Sequence, residues 1–149
     1  MKSIKLILVI LWMILIFLFS HSNSYISSNQ SSGFIYKSIE FVSKVFNIEI
    51  EEKNINNIID IIEYPIRKCA HIFLYFVLAI LIVSLLNCYN LNYKQIFIYA
   101  LLFCLLYATT DEIHQLFISG RSGSIKDVII DFLGIYLGVL IKINNKKSC

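Results

Sequence analysis

The stretch Arg67-Lys68-Cys69-Ala70-His71-Ile72-Phe73-Leu74-Tyr75-Phe76-Val77-Leu78-Ala79-Ile80-Leu81-Ile82-Val83-Ser84-Leu85-Leu86 decides the fold. From Ile72 to Leu86 it carries no charge, and its titratable groups Arg67, Lys68 and His71 stand together at one end. A segment of this length and polarity reads as a helix crossing a bilayer, whose hydrocarbon core is about 30 Å thick. Three further apolar runs lie on either side of it, Ile4 to Phe19, Ile96 to Ala108 and Val128 to Ile143. The chain as a whole is 58% hydrophobic and only 15% charged, with one proline in 149 residues, a balance that excludes an ordinary soluble domain. The sequence therefore predicts an all-α membrane protein. It has one domain over residues 1–149, with four transmembrane helices at about 4–20, 66–86, 94–115 and 125–143.

The first run follows Lys2 and Lys5 as a signal peptide would, yet it is long and bulky and lacks a small-x-small cleavage site before His21. It reads as an anchor that stays. Charge then sets orientation. With four spans and the N-terminus inside, the inner segments hold Lys2, Lys5, Lys94, Lys142, Lys146 and Lys147 and no acid, while all ten acids fall outside. That is the positive-inside pattern and predicts N-in, C-in topology. The four cysteines, Cys69, Cys88, Cys104 and Cys149, are spread over different depths and are expected to stay free.

The extracytoplasmic loop between the first two spans, residues 21–65, is expected to carry short amphipathic helices. Phe34, Ile35, Ile39, Val42, Val45 and Phe46 recur at spacings of three and four, so a helix there would lie on the outer membrane surface or over a pocket. The polar residues 27–33 read as a mobile loop, and Ile58, Ile59, Ile61 and Ile62 as a second short surface helix. Pro65 suits the first turn of the second span. The glycine and serine run 119–124 reads as a turn, with Ser124 as the N-cap of the last helix.

Chemistry concentrates at one end of three spans. On the second, Arg67, Lys68, His71 and Tyr75 share a face at helical spacing. On the third, Asp111, His114 and Gln115 lie at i, i+3 and i+4, with Glu112 about 100° away around the helix. An aspartate one turn from a histidine can orient the ring and fix its tautomer, as a general base requires. On the fourth, Asp127 and Asp131 share a face with Gly134 and Gly138, whose spacing permits close helix approach and turns the carboxylates inward. His71, Asp111, Glu112, His114 and Asp131 are thus candidates for acid–base work. Arg67, Lys68, Tyr75, Gln115, Arg121 and Asp127 are candidates for holding a ligand, with an anionic group the best fit for the bases. No metal or other cofactor is expected: HExxH and paired-cysteine motifs are missing, and Arg and Lys beside the cluster would repel a cation.

Lys68-x2-His71-x3-Tyr75, then Asp111-Glu112-x-His114-Gln115, then Gly120-Arg121 and Asp127-x3-Asp131-x2-Gly134, together resemble the VanZ-like family of small bacterial membrane proteins. The likeness runs over residues 64 to 140, and Ser20 to Ser24 resembles the polar stretch that closes the first helix in such proteins. Where Asp131 stands, the family pattern leads one to expect asparagine. The resemblance implies a multi-pass location in the bacterial cell membrane and an association with resistance to the glycopeptide teicoplanin.

Two functional readings follow from the residues. In the first, a pocket at the outer leaflet acts on a lipid or lipid-linked cell-wall component, with Asp111 orienting His114 and with His71 and His114 exchanging protons. In the second, the same groups bind lipid, antibiotic or a partner helix without chemistry. Proton-coupled transport ranks behind both, because four short helices make a small transporter unless the chain forms a homo-oligomer. No nucleic-acid partner is expected.

Overall fold

The computed structural model describes residues 2–21, 24–46, 52–118 and 123–144. These form five α-helices, α1 (Lys2–His21), α2 (Ser24–Phe46), α3 (Glu52–Leu86), α4 (Tyr93–Gln115) and α5 (Ile125–Asn144), and no strand among the described residues. Three of them, α1, α3 and α4, are long and apolar enough to cross a membrane. The last, α5, has the length but carries Lys126, Asp127, Asp131 and Lys142 along its 20 residues. It nonetheless lies within the bundle, with Ile135 and Val139 fully buried.

Side-chain contacts give the direction of each helix. The Tyr107 hydroxyl donates to the Met13 carbonyl at 2.7 Å, and Ser20 reaches Asp111, so α1 and α4 run parallel. Lys68 meets Asp127 and His71 meets Asp131, so α3 and α5 also run parallel. The two pairs oppose each other, since Lys5 Nζ donates to the Ser84 carbonyl at 3.1 Å and Trp12 Nε1 to the Leu74 carbonyl at 2.9 Å. Helix α4 starts from a full capping box. Asn92 accepts from the Gln95 N–H at 2.9 Å while the Gln95 side chain accepts from the Asn92 N–H at 3.0 Å, satisfying two amides that a helix N-terminus leaves open.

The core forms around α3. Tyr75, Leu78, Ala79 and Val83 are fully buried there, against Ile96, Ala100, Cys104 and Ala108 of α4 and Val9 and Ile16 of α1. On α5 the glycine pair does what its spacing suggested. A Cβ built on Gly134 would meet the Ile72 carbonyl, and one on Gly138 would lie 2.5 Å from the Phe76 carbonyl and 2.9 Å from the Ala79 methyl. Backbone therefore packs directly on backbone between α3 and α5. Outward, Ile14, Phe73, Leu102, Leu106, Leu133 and Leu137 remain exposed, an apolar jacket of the kind that membrane-spanning helices carry.

The region expected as an outer loop is different. Helix α2 has 23 residues and includes 27–33, the stretch expected as a mobile loop. The short helix expected around Ile58 to Ile62 is continuous with the second span, so α3 has 35 residues and Pro65 lies inside it rather than in its first turn. Tertiary packing overrides local propensity here: Ile35 on α2 buries against Ile55 and Ile59 on α3, with Ile39 and Ile66 around them. At ~1.5 Å per residue α3 is about 52 Å long, well beyond the ~30 Å of hydrocarbon. Its first half and α2 thus form a helical hairpin at the end of the bundle. Cys69 and Cys104 are free as expected, but Cys88 is disulfide-bonded, which corrects that reading for the turn after α3, where no helix fixes the reach of the side chain.

Candidate polar site at the converging helix ends

Each buried stripe changes character at the same end of the bundle. On α4 the inward positions Ile96, Ala100, Cys104 and Ala108 are followed by Asp111, Glu112 and Gln115, all buried. On α1, Val9 and Ile16 are followed by Ser20, and on α5 the inward face begins at Asp131. Helical periodicity alone brings these polar side chains onto the surfaces that pack.

Asp111 is the hub. Its Oδ2 accepts from Ser20 Oγ at 2.6 Å, from the Tyr75 hydroxyl at 3.1 Å and from Gln115 Nε2 at 3.4 Å, so one carboxylate oxygen ties α1, α3 and α4 together. Gln115 Nε2 also lies 3.4 Å from Ser20 Oγ, closing the network. Asp111 is 3% exposed, and its other oxygen, Oδ1, has no hydrogen-bond partner among the described residues.

Asp131 is 1% exposed and is the first buried residue of α5. Its Oδ1 is 3.7 Å from His71 Nδ1, an ion pair when the imidazole is protonated, and its Oδ2 likewise has no hydrogen-bond partner among the described residues. An unpaired carboxylate oxygen is costly to bury, and such groups in membrane proteins mark function more often than scaffolding. Two of them lie at this end of one small bundle.

Other expected site residues hold the frame. Glu112 Oε2 accepts from the Ser124 N–H at 3.0 Å, anchoring the start of α5 to the end of α4. Ser124 Oγ accepts from the Lys126 N–H at 3.2 Å, as expected of an N-cap. Lys68 and Asp127 form an ion pair at 2.5 Å, their side chains 22% and 17% exposed, at the rim between α3 and α5. A double-mutant cycle of Lys68→Met and Asp127→Asn, followed by thermal unfolding in micelles, is expected to return a coupling of about 1 kcal/mol. A coupling of zero would remove this clamp.

Three expectations meet a different geometry. His114 does not pair with Asp111. It stacks on Phe17 at 4.8 Å between ring centroids and faces His21, with Nε2 at 3.2 Å from His21 Nδ1. Positions i and i+3 share a stripe but differ by about 60° around the helix. Here Asp111 takes the buried side and His114 the rim. The expected exchange of protons between His71 and His114 also lacks a direct contact, since His71 pairs with Asp131 and His114 with His21. The bases expected to clasp an anion are engaged by acids: Lys68 by Asp127, and Arg67 by Glu63 at 3.7 Å one turn back on α3. Arg121 lies outside the described residues. No group of three or more His, Cys, Asp or Glu side chains that could hold a metal ion occurs among the described residues.

Sequence reasoning underrated α1. Ser20 and His21, expected only as part of the polar stretch that closes the first helix, supply a bond to Asp111 and the partner of His114. The available signal was helical phase, since Ser20 follows Ile16 by four and Val9 by eleven on the buried stripe.

One family model, described as VanZ/LLP1, matches residues 5–144, nearly the whole chain, and so takes in all four helices of the bundle. The chain belongs to the VanZ/LLP1 family. No curated protein and no solved structure matches it. Within this VanZ/LLP1 chain, α1 is therefore part of the family domain, in keeping with its two contributions to the polar cluster.

Proposed function

We propose that this VanZ/LLP1 chain is a multi-pass protein of the bacterial cell membrane with four spans, α5 being the fourth, and with both termini inside. Its polar helix ends then face outward and take a cell-envelope component, a membrane lipid or lipid-linked cell-wall precursor, and through it the protein contributes to glycopeptide resistance. The observation that carries this reading is the Asp111 hub: a buried carboxylate held by donors on three helices, with one oxygen left over. In this reading Asp111, Asp131 and His71 face the bound group, Glu112, Asp127 and Lys68 hold the helix ends in place, and His114 with His21 lines the rim.

A second reading, binding without chemistry, is favoured by the partners of Asp111. Ser20, Tyr75 and Gln115 are hydrogen-bond donors that fix a carboxylate in place, and none is a base that would take up a proton in exchange. Teicoplanin susceptibility of a sensitive Gram-positive host tests both. Expression of the wild-type chain is expected to protect, and His114→Ala and Asp111→Asn at matched membrane levels test the cluster. Loss of protection in Asp111→Asn supports chemistry at the carboxylate, and retention supports binding alone. No protection by the wild type would reject the resistance role.

A further inference from the structure

Helix α2 has a second apolar face that the hairpin leaves open. Ile35 and Ile39 are turned to α3, whereas Phe34, Phe41 and Val45, at offsets of seven and eleven, form a neighbouring stripe. Phe34 is 67% and Phe41 69% exposed, and Val45 is equally open. Side chains of this size are rarely left so exposed along one stripe without a partner. Lys37 and Lys44 run beside the stripe at the same seven-residue offset, and both are exposed.

Two observations say what covers it. First, α2 begins at Ser24, three residues after α1 ends at His21, and α1 is one of the helices apolar enough to cross a membrane, with Phe17 and Leu18 exposed on its last turns. Helix α2 is therefore tethered where α1 ends, and the stripe runs from about 15 Å to about 32 Å along it. Second, an apolar stripe edged with lysines is the pattern of helices that lie in the headgroup layer, aromatic rings down and ammonium groups among anionic headgroups. Of the two lysines, Lys44 is also bonded to Glu40 at 2.7 Å and holds that carboxyl below the usual carboxylate range, so this acid, which lies off the stripe beyond the lysines, is paired. A second copy fits the stripe less well. Two-fold antiparallel pairing through the stripe near Phe41 would set Lys37 of one chain against Lys44 of the other.

We propose that the Phe34, Phe41 and Val45 stripe of α2 docks on the membrane surface, with its side chains at the boundary between headgroups and acyl chains and with Lys37 and Lys44 among anionic headgroups. Pro65 supplies the joint. It offers no N–H to the Ile61 carbonyl, so α3 can bend there and let the hairpin lean onto the bilayer. This inference stands apart from the reading of the polar site and does not depend on it.

The test uses the full-length wild-type chain in lipid nanodiscs that contain a lipid with a photoreactive carbene precursor near the acyl carbonyl. Mass spectrometry after illumination is expected to find label on Phe34, Phe41 and Val45 at levels comparable with Phe17 and Leu18 of α1, and several-fold less on Glu40 and Ser43. Phe41→Glu with Val45→Glu should remove the α2 label and leave the α1 label unchanged, which also shows that the variant is inserted. Label on α1 alone would overturn the proposal. So would protection of α2 that appears only as the ratio of protein to lipid rises, because a second copy would then be the cover.

Discussion

Alanine in place of Gly134 is expected to lower the stability of the bundle in micelles by about 1–3 kcal/mol, the usual cost of forcing extra atoms into a packed contact. The added methyl would meet the carbonyl oxygen of Ile72, which belongs to a helix backbone and cannot rotate aside. Relief requires α5 to move away from α3 as a body. Because Asp131 and Lys68 sit one turn above on those two helices, their contacts to His71 and Asp127 would open with it. Gly33→Ala is the control. A methyl there meets nothing within 4 Å, and inside a helix alanine is favoured over glycine by up to about 1 kcal/mol. Thermal unfolding followed by helical circular dichroism should thus fall for the first variant and hold or rise for the second. Equal midpoints for Gly134→Ala and wild type would mean that α3 and α5 do not pack backbone to backbone.

The second large effect is expected at Asp111. Alanine there removes the acceptor of Ser20, Tyr75 and Gln115 together, and Tyr75 is wholly buried, so its hydroxyl has no water to turn to. Each donor left unpaired costs about 1–3 kcal/mol, and the three are too close together to add simply. Asparagine keeps one carbonyl oxygen for the same donors and should lose much less. Unfolding midpoints in the order wild type, Asp111→Asn, Asp111→Ala, with a wide second step, are the expected result. If Asp111→Ala unfolds with wild type, the hub does not hold the helices.

Much of the bundle was legible because lipid imposes simple rules. Helices α4 and α5 begin and end within a residue or so of where hydropathy and capping put them, and Gly134 and Gly138 announced the close contact that α3 and α5 make. The hairpin was not legible. Serine and asparagine between 24 and 33 have weak helix propensity, and the decisive contact of Ile35 with Ile55 and Ile59 joins residues 20 or more positions apart. At the polar site, the grouping of charges at one end of each span foretold that the cluster would form, but spacing could not name the partners. Asp111 and His114 share a stripe, and only the position of α1, 91 residues away in sequence, decides that the carboxylate takes Ser20 and the imidazole takes His21.

The apolar part of the inner stripes also separates the polar end of the bundle from the other end. Behind Asp111 and Asp131 the interior is filled by Leu78, Val83, Cys104, Ala108, Ile135 and Val139, all without measurable exposure. Among the described residues, these side chains put a tightly packed, mainly apolar layer between the polar cluster and the opposite end. On the proposed reading the bundle is a cul-de-sac, and a group bound at Asp111 and Asp131 would enter and leave at the same end.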